Sequence, residues 1–134
     1  MIRIFFVMLL LHVVAEFVLQ PIALIRLKQK TYWEQPEHPN GGKDASSMAI
    51  AINAILWSVM IMLPLMYYST EGDLILLLVF LVNMFVHAYI DEYTTNRHKL
   101  TFVTAQSLYL LQLIITFLVT LLIQYNPISV ESLM

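Results

Sequence analysis

Two sets of polar residues recur at helical spacing inside stretches that are otherwise apolar. His12, Glu16 and Gln20 stand at i, i+4 and i+8 within the run 4–25, and Asn83, His87 and Asp91 repeat that spacing at the end of the run 74–90. Residues four apart share one face of a helix, so each set is a polar stripe. His12-x-x-x-Glu16 and His87-x-x-x-Asp91 each join an imidazole to a carboxylate. Two such helices side by side would offer two nitrogens and two oxygens, a ligand set suited to divalent zinc, iron or manganese. Glu16 or Asp91 would then be the catalytic base of a hydrolysis, beside a metal-bound water whose pKa such an ion brings toward ~7. Two further chemistries fit the same residues. Chains of acids and histidines inside membranes serve as proton or ion paths. Buried pairs of histidine and carboxylate also fix helix register while binding nothing.

The elements that must position these stripes are membrane helices. The chain has 134 residues, of which 60% are hydrophobic and only 12% charged, where a soluble domain carries about 25% charged residues. Segments 4–25, 48–68, 74–91 and 102–124 are each long enough to cross a hydrocarbon core of ~30 Å. The expectation is therefore all-α, a single integral membrane domain over 1–134 folded as a four-helix bundle. An ionisable group near the bilayer centre costs ~2.5–3.5 kcal/mol on insertion scales, so the stripes must face each other, a cavity or a ligand. Segment 26–47 reads as the one sizeable loop, with Pro36, Pro39 and the turn signal Asn40-Gly41-Gly42. Residues 69–73 read as a tight hairpin. Arg3 before an apolar run has the look of a signal peptide, but His12 and Glu16 interrupt the run, so it reads as a retained helix. The absence of cysteine excludes disulfides and thiolate sites. A net charge of −2 without a basic run excludes a nucleic-acid partner.

Six of the seven Lys and Arg residues orient the bundle: Arg26, Lys28, Lys30 and Lys43 in one connection, Arg97 and Lys99 in another. The positive-inside rule puts 26–47 and the third connection in the cytoplasm and both termini on the outer side of a cell (inner) membrane. Asn53 and Gln106 then lie ~8 Å inside their cytoplasmic helix ends at 1.5 Å per residue. Gln20, His87 and Asp91 fall at similar depth, with Glu16 and His12 deeper. This places a polar pocket open to the cytoplasm and leaves the outer half nearly pure hydrocarbon. Gln20, Asn53, Asn83 and Gln106 support the pocket as interhelical hydrogen-bonding groups. Pro21, lacking an N–H for the Phe17 carbonyl, is expected to kink the first helix. Ser47, Ala51, Ala54 and Ser58 form a small-residue seam for close helix approach. His38, His98, Glu34 and Glu37 read as solvated. The leading function is an intramembrane His/carboxylate site that binds a metal or ligand. The alternatives are a small transporter or proton-path subunit, or a structural or regulatory protein that binds another membrane protein, or a second copy, through 26–47.

These residues also carry a resemblance. The chain resembles the domain of unknown function 3307 family, small bacterial and phage membrane proteins of uncharacterised function. The first-helix pattern H-x-x-x-D-[FY]-x-L-Q followed by Lys is similar to His12, Glu16, Phe17, Leu19, Gln20 and then Lys28. The third-helix pattern H-[FW]-x-I-D-x-x-K is similar to His87, Ile90 and Asp91, with Thr94 in place of the lysine. The fourth-helix pattern D-Q-x-x-H falls on Ala105, Gln106 and Tyr109, and the paired histidines of the second helix fall on Asn53 and Trp57. The resemblance spans essentially the whole chain. It implies a membrane-helical fold, and four of the family's ionisable positions are replaced here.

Overall fold

The computed structural model describes residues 2–20, 22–37, 43–68 and 73–125, with the side chains of 43, 68, 73 and 123–125 outside that set. Pro21 and its expected kink, the Asn40-Gly41-Gly42 turn, most of the 69–73 hairpin and His38 lie outside the described residues. Every regular element among the described residues is helical: α1 (Ile2–Val13), a π-helical turn (Val14–Val18), α2 (Ile22–Leu27), α3 (Lys30–Trp33), α4 (Lys43–Tyr68), α5 (Asp73–Thr95) and α6 (Phe102–Tyr125). Helices α4, α5 and α6 are long and apolar enough to cross a membrane.

Large apolar side chains cover the outside of the helices as well as filling a buried core of Met8, Trp57, Ile61 and Leu113. Phe6, Leu10, Val82, Phe85 and Leu122 are all more than 60% exposed, while Lys28, Asn53, Asn83, His87 and Asp91 are buried. Exposed apolar surface of this extent needs a cover, and buried charge is tolerated only with partners. A surrounding hydrocarbon phase would supply the first condition. The hydrogen bonds described below supply the second.

α4 is the central element, packing against α1, the π turn, α2, α3 and α5, while α6 packs against α5 and α1. Its inner face runs Ser46, Ile50, Asn53, Ala54, Trp57, Ser58, Ile61, Met62 and Leu65, at the three-and-four spacing of a helix seam. The seam is thus rotated from the one expected: Ala54 and Ser58 belong to it, but Ser47 and Ala51 face outward. Bulky Trp57 takes the inner face at mid-helix, and the flanking small residues follow from the face it occupies. Asp44 in the first turn suits the positive end of the α4 dipole. Pro64 withdraws one backbone donor near the other end.

Two expectations are corrected here. The first segment is not one continuous α-helix over 4–25. After Val13 the backbone widens, Leu19 N–H bonding the Val14 carbonyl at 2.9 Å in an i→i−5 pattern, and the chain bends at Leu19 and Gln20. Segment 26–47 is likewise only partly loop. α3 lies within it, α2 ends in it, and α4 begins at Lys43. This connection is tied down by side chains: Trp33 Nε1 donates to the Leu27 carbonyl at 2.8 Å, and Ser46 Oγ donates to the Lys28 carbonyl. The Lys30 amide donates to Asn96 Oδ1 at 2.9 Å. The third segment extends past 91 to Thr95, and the chain then reverses through His98, whose φ of 50° lies in the left-handed region.

Candidate functional site

The site is assembled where α1 and the π turn meet α4, α5 and α6. Asp91 is its most thoroughly bonded group. Its Oδ2 accepts from Lys28 Nζ at 3.0 Å and from Asn53 Nδ2 at 2.8 Å, and its Oδ1 accepts from the Tyr109 hydroxyl at 2.7 Å. Both side chains of the Lys28–Asp91 pair are about 6% exposed, so this is a buried ion pair. The lysine reaches it because the bend after the π turn brings α2 back against α4. Charge and hydrogen bonding are both satisfied at Asp91.

His87 lies four residues earlier on α5 and is fully buried. Its ring is sandwiched between Trp57 at 4.4 Å and Tyr109 at 4.3 Å, with interplanar angles of 23° and 24°. Nε2 faces Asn53 Nδ2 at 3.3 Å and Glu16 Oε1 at 3.5 Å. Among the described residues Nδ1 has no partner. The Asn53 amide carries two hydrogens, and one is directed at Asp91. If the other points at His87, Nε2 is an acceptor, and a bond to Glu16 then needs the proton on the carboxyl. If Nε2 carries the proton, it donates to a Glu16 carboxylate. One proton thus has two homes across this contact.

Glu16 is carried on the π turn, a widened helical geometry frequent at functional sites. Gln20 Nε2 donates to its Oε1 at 3.2 Å and Gln106 Nε2 to its Oε2 at 3.3 Å. Gln20 also accepts from Lys28 Nζ at 3.4 Å. Glu16, Gln20, Lys28, Asp91, Asn53 and His87 therefore close a ring of polar contacts that joins the π turn, α4 and α5 through the connecting residues Gln20 and Lys28. Within this ring Lys28 balances Asp91, and Glu16 has only neutral amides and an imidazole.

The four residues read as a metal set are not gathered as one. His12 turns to α4, its Nδ1 accepting from Trp57 Nε1 at 2.9 Å, away from the Glu16 carboxyl. The two side chains take different partners: His12 bonds Trp57, and Glu16 meets Gln20, Gln106 and His87. Asp91 is occupied by a lysine, an amide and a phenol. No group of three or more His, Asp or Glu residues among the described ones is placed to hold a metal ion. His87 and Glu16 do meet, as expected of the two stripes, and Gln20, Asn53 and Gln106 stand beside them. Asn83 does not join them. It pairs instead with α6, its Oδ1 accepting from Gln112 Nε2 at 2.9 Å and from Thr116 Oγ1 at 2.8 Å.

Residue types and spacing alone missed Lys28, Trp57, Tyr109 and Gln112. Lys28 reads from sequence as an orienting charge, and an aromatic at a helix interior reads as packing. Trp57, Tyr109 and Lys28 enter the sequence reading only through the family resemblance and the charge count. Gln112, Thr116 and Thr120 carried a legible signal, a polar residue every fourth position of an apolar helix. All three are buried, and Thr120 Oγ1 donates to the Thr116 carbonyl at 2.9 Å. The interior beyond His87 is accordingly not the pure hydrocarbon expected. Compared with protein-family models, with curated proteins and with solved structures, the chain matches none.

Proposed function

We propose that this chain is a multi-pass inner-membrane protein of four spanning helices whose buried ring binds one proton, shared between Glu16 and His87 and exchanged with the cytoplasm. The observation that carries the reading is the charge balance of the ring. Lys28 and Asp91 neutralise each other at 3.0 Å, and the second carboxyl, Glu16, lies 3.5 Å from an imidazole that can give or take a proton. A buried carboxyl whose direct partners are neutral amides and an imidazole is the kind of intramembrane group that marks proton-handling sites.

Several features support the surrounding assignment. The seventeen residues 2–18 are helical and would measure about 26 Å at 1.5 Å per residue, close to a hydrocarbon core. Helices α1, α4, α5 and α6 contact one another in a closed order, α1 to α4 to α5 to α6 and back to α1. With 26–47 on the cytoplasmic side, Lys28 and Gln20 form the mouth of the ring and both termini lie outside. The small bacterial or phage family named above fits the same layout.

The test is a proton count. Protein in lipid nanodiscs is titrated potentiometrically beside Glu16→Gln, a nearly isosteric change. The variant should bind one proton fewer over the range in which Glu16 and His87 exchange it, and remain folded. Identical titration of the two proteins would remove the reading.

A further inference from the structure

Beyond the ring, polar groups continue along the α5–α6 interface. On α5 the order is Asp91, His87, Asn83, four residues apart; on α6 it is Tyr109, Gln112, Thr116, Thr120. The two sets are joined at each level. Tyr109 bonds Asp91 and stacks on His87. Gln112 Nε2 donates to both the backbone carbonyl and the Oδ1 of Asn83, at 2.8 and 2.9 Å. The Thr116 hydroxyl has one hydrogen to share between Asn83 Oδ1 at 2.8 Å and the Gln112 carbonyl at 2.9 Å. Three Thr or Gln side chains in one stripe exceed what register alone requires, since a single interhelical amide fixes register.

Two buried atoms on this line have no partner among the described residues: His87 Nδ1 and Gln112 Oε1. They belong to adjacent levels, because Gln112 is bonded to Asn83, one turn or about 6 Å along α5 from His87. An unpartnered buried polar atom costs ~1–3 kcal/mol, so two neighbouring ones need a reason. A groove of about 420 Å³ also runs along the outward side of α5 and α6 at this level, lined almost wholly by apolar side chains such as Val82, Leu111 and Ile115.

We infer that the α5–α6 seam is the outer limb of a transmembrane proton path. It rests on the Glu16–His87 reading above. A proton accepted at His87 Nε2 from Glu16 leaves from Nδ1, the same ring giving up its other proton. Water held by Gln112 Oε1 and the Thr116 and Thr120 hydroxyl oxygens carries it outward between α5 and α6. No covalent bond other than O–H and N–H changes, and charge balance is met by a counter-ion crossing elsewhere.

The experiment uses the full chain in proteoliposomes containing a pH-sensitive dye, with a potassium gradient and valinomycin setting the voltage. Wild type should acidify the lumen faster than protein-free vesicles. Gln112→Leu and Thr116→Val should each slow the flux about tenfold or more, the effect of a modest added barrier. Thr116→Ser, which keeps the hydroxyl, should restore it. Both seam variants should keep the wild-type proton count. Wild-type flux no faster than empty vesicles, or flux unchanged by Gln112→Leu, would overturn the path while leaving the proton site standing. Flux that survives Glu16→Gln but not Gln112→Leu would instead keep the seam and remove Glu16 as its entry.

Discussion

Replacing Lys28 by Met tests the electrostatic core of the site most informatively. The pair Lys28–Asp91 is buried on both sides and separated by 3.0 Å. Methionine keeps the apolar stem and deletes the charge, leaving Asp91 with Asn53 and Tyr109 as neutral donors only. Removing one partner of a buried pair typically costs ~3–5 kcal/mol, because the other charge stays behind without compensation. The reverse change, Asp91→Asn, should cost less. Lys28 follows the end of α2, and a lysine stem can turn its ammonium toward water or headgroups, which an aspartate fixed on α5 cannot do. The double variant should be more stable than the sum of the singles by roughly 0.5–3 kcal/mol, the range for residues in contact. Detergent-induced unfolding followed by tryptophan fluorescence reads this cycle, since Trp57 stacks on His87 inside the site. Strict additivity, or a Lys28→Met cost below ~1 kcal/mol, would refute the buried pair.

Three further outcomes follow from the same contacts. Lys30→Ala, which breaks the half-exposed pair with Glu92, should cost no more than ~1 kcal/mol in the same unfolding assay, in contrast to Lys28. Trp57→Phe should cost ~1–3 kcal/mol by leaving His12 Nδ1 without its donor, and His12→Phe in that background should recover part of the loss. A cysteine placed at Gln35 should react with an impermeant thiol reagent only from the cytoplasmic side and one at Ser129 only from outside; opposite labelling would reverse the orientation of the site.

The legible part of this molecule was what periodicity encodes. The helical class, three segments long and apolar enough to cross a membrane, and the meeting of Glu16 with His87 follow from polar residues at four-residue spacing in apolar runs. What periodicity assumes is an ideal helix, and the errors occur where that fails. The segment over Val14–Val18 is a π turn, and His12 and Glu16 take different partners, Trp57 and His87, which stack on each other. Lys28 became part of the site through a bend at Leu19 and Gln20; Pro21 signals a break there but not where it sends Lys28. Asn83 was placed in the wrong cluster because its partner Gln112 stands on α6, and which helices neighbour each other is a tertiary fact. The metal set required geometry; only the residue types were available from sequence.

The most direct measurement is a solid-state NMR distance between the Glu16 side-chain carboxyl carbon, labelled with carbon-13, and His87 Nε2, labelled with nitrogen-15, in protein reconstituted in lipid. One shared polar site across two helices predicts strong dipolar dephasing, consistent with the 3.5 Å contact between Glu16 Oε1 and Nε2. Absence of dephasing in folded protein would mean that the two stripes face different surroundings, and the proton site would have no second partner.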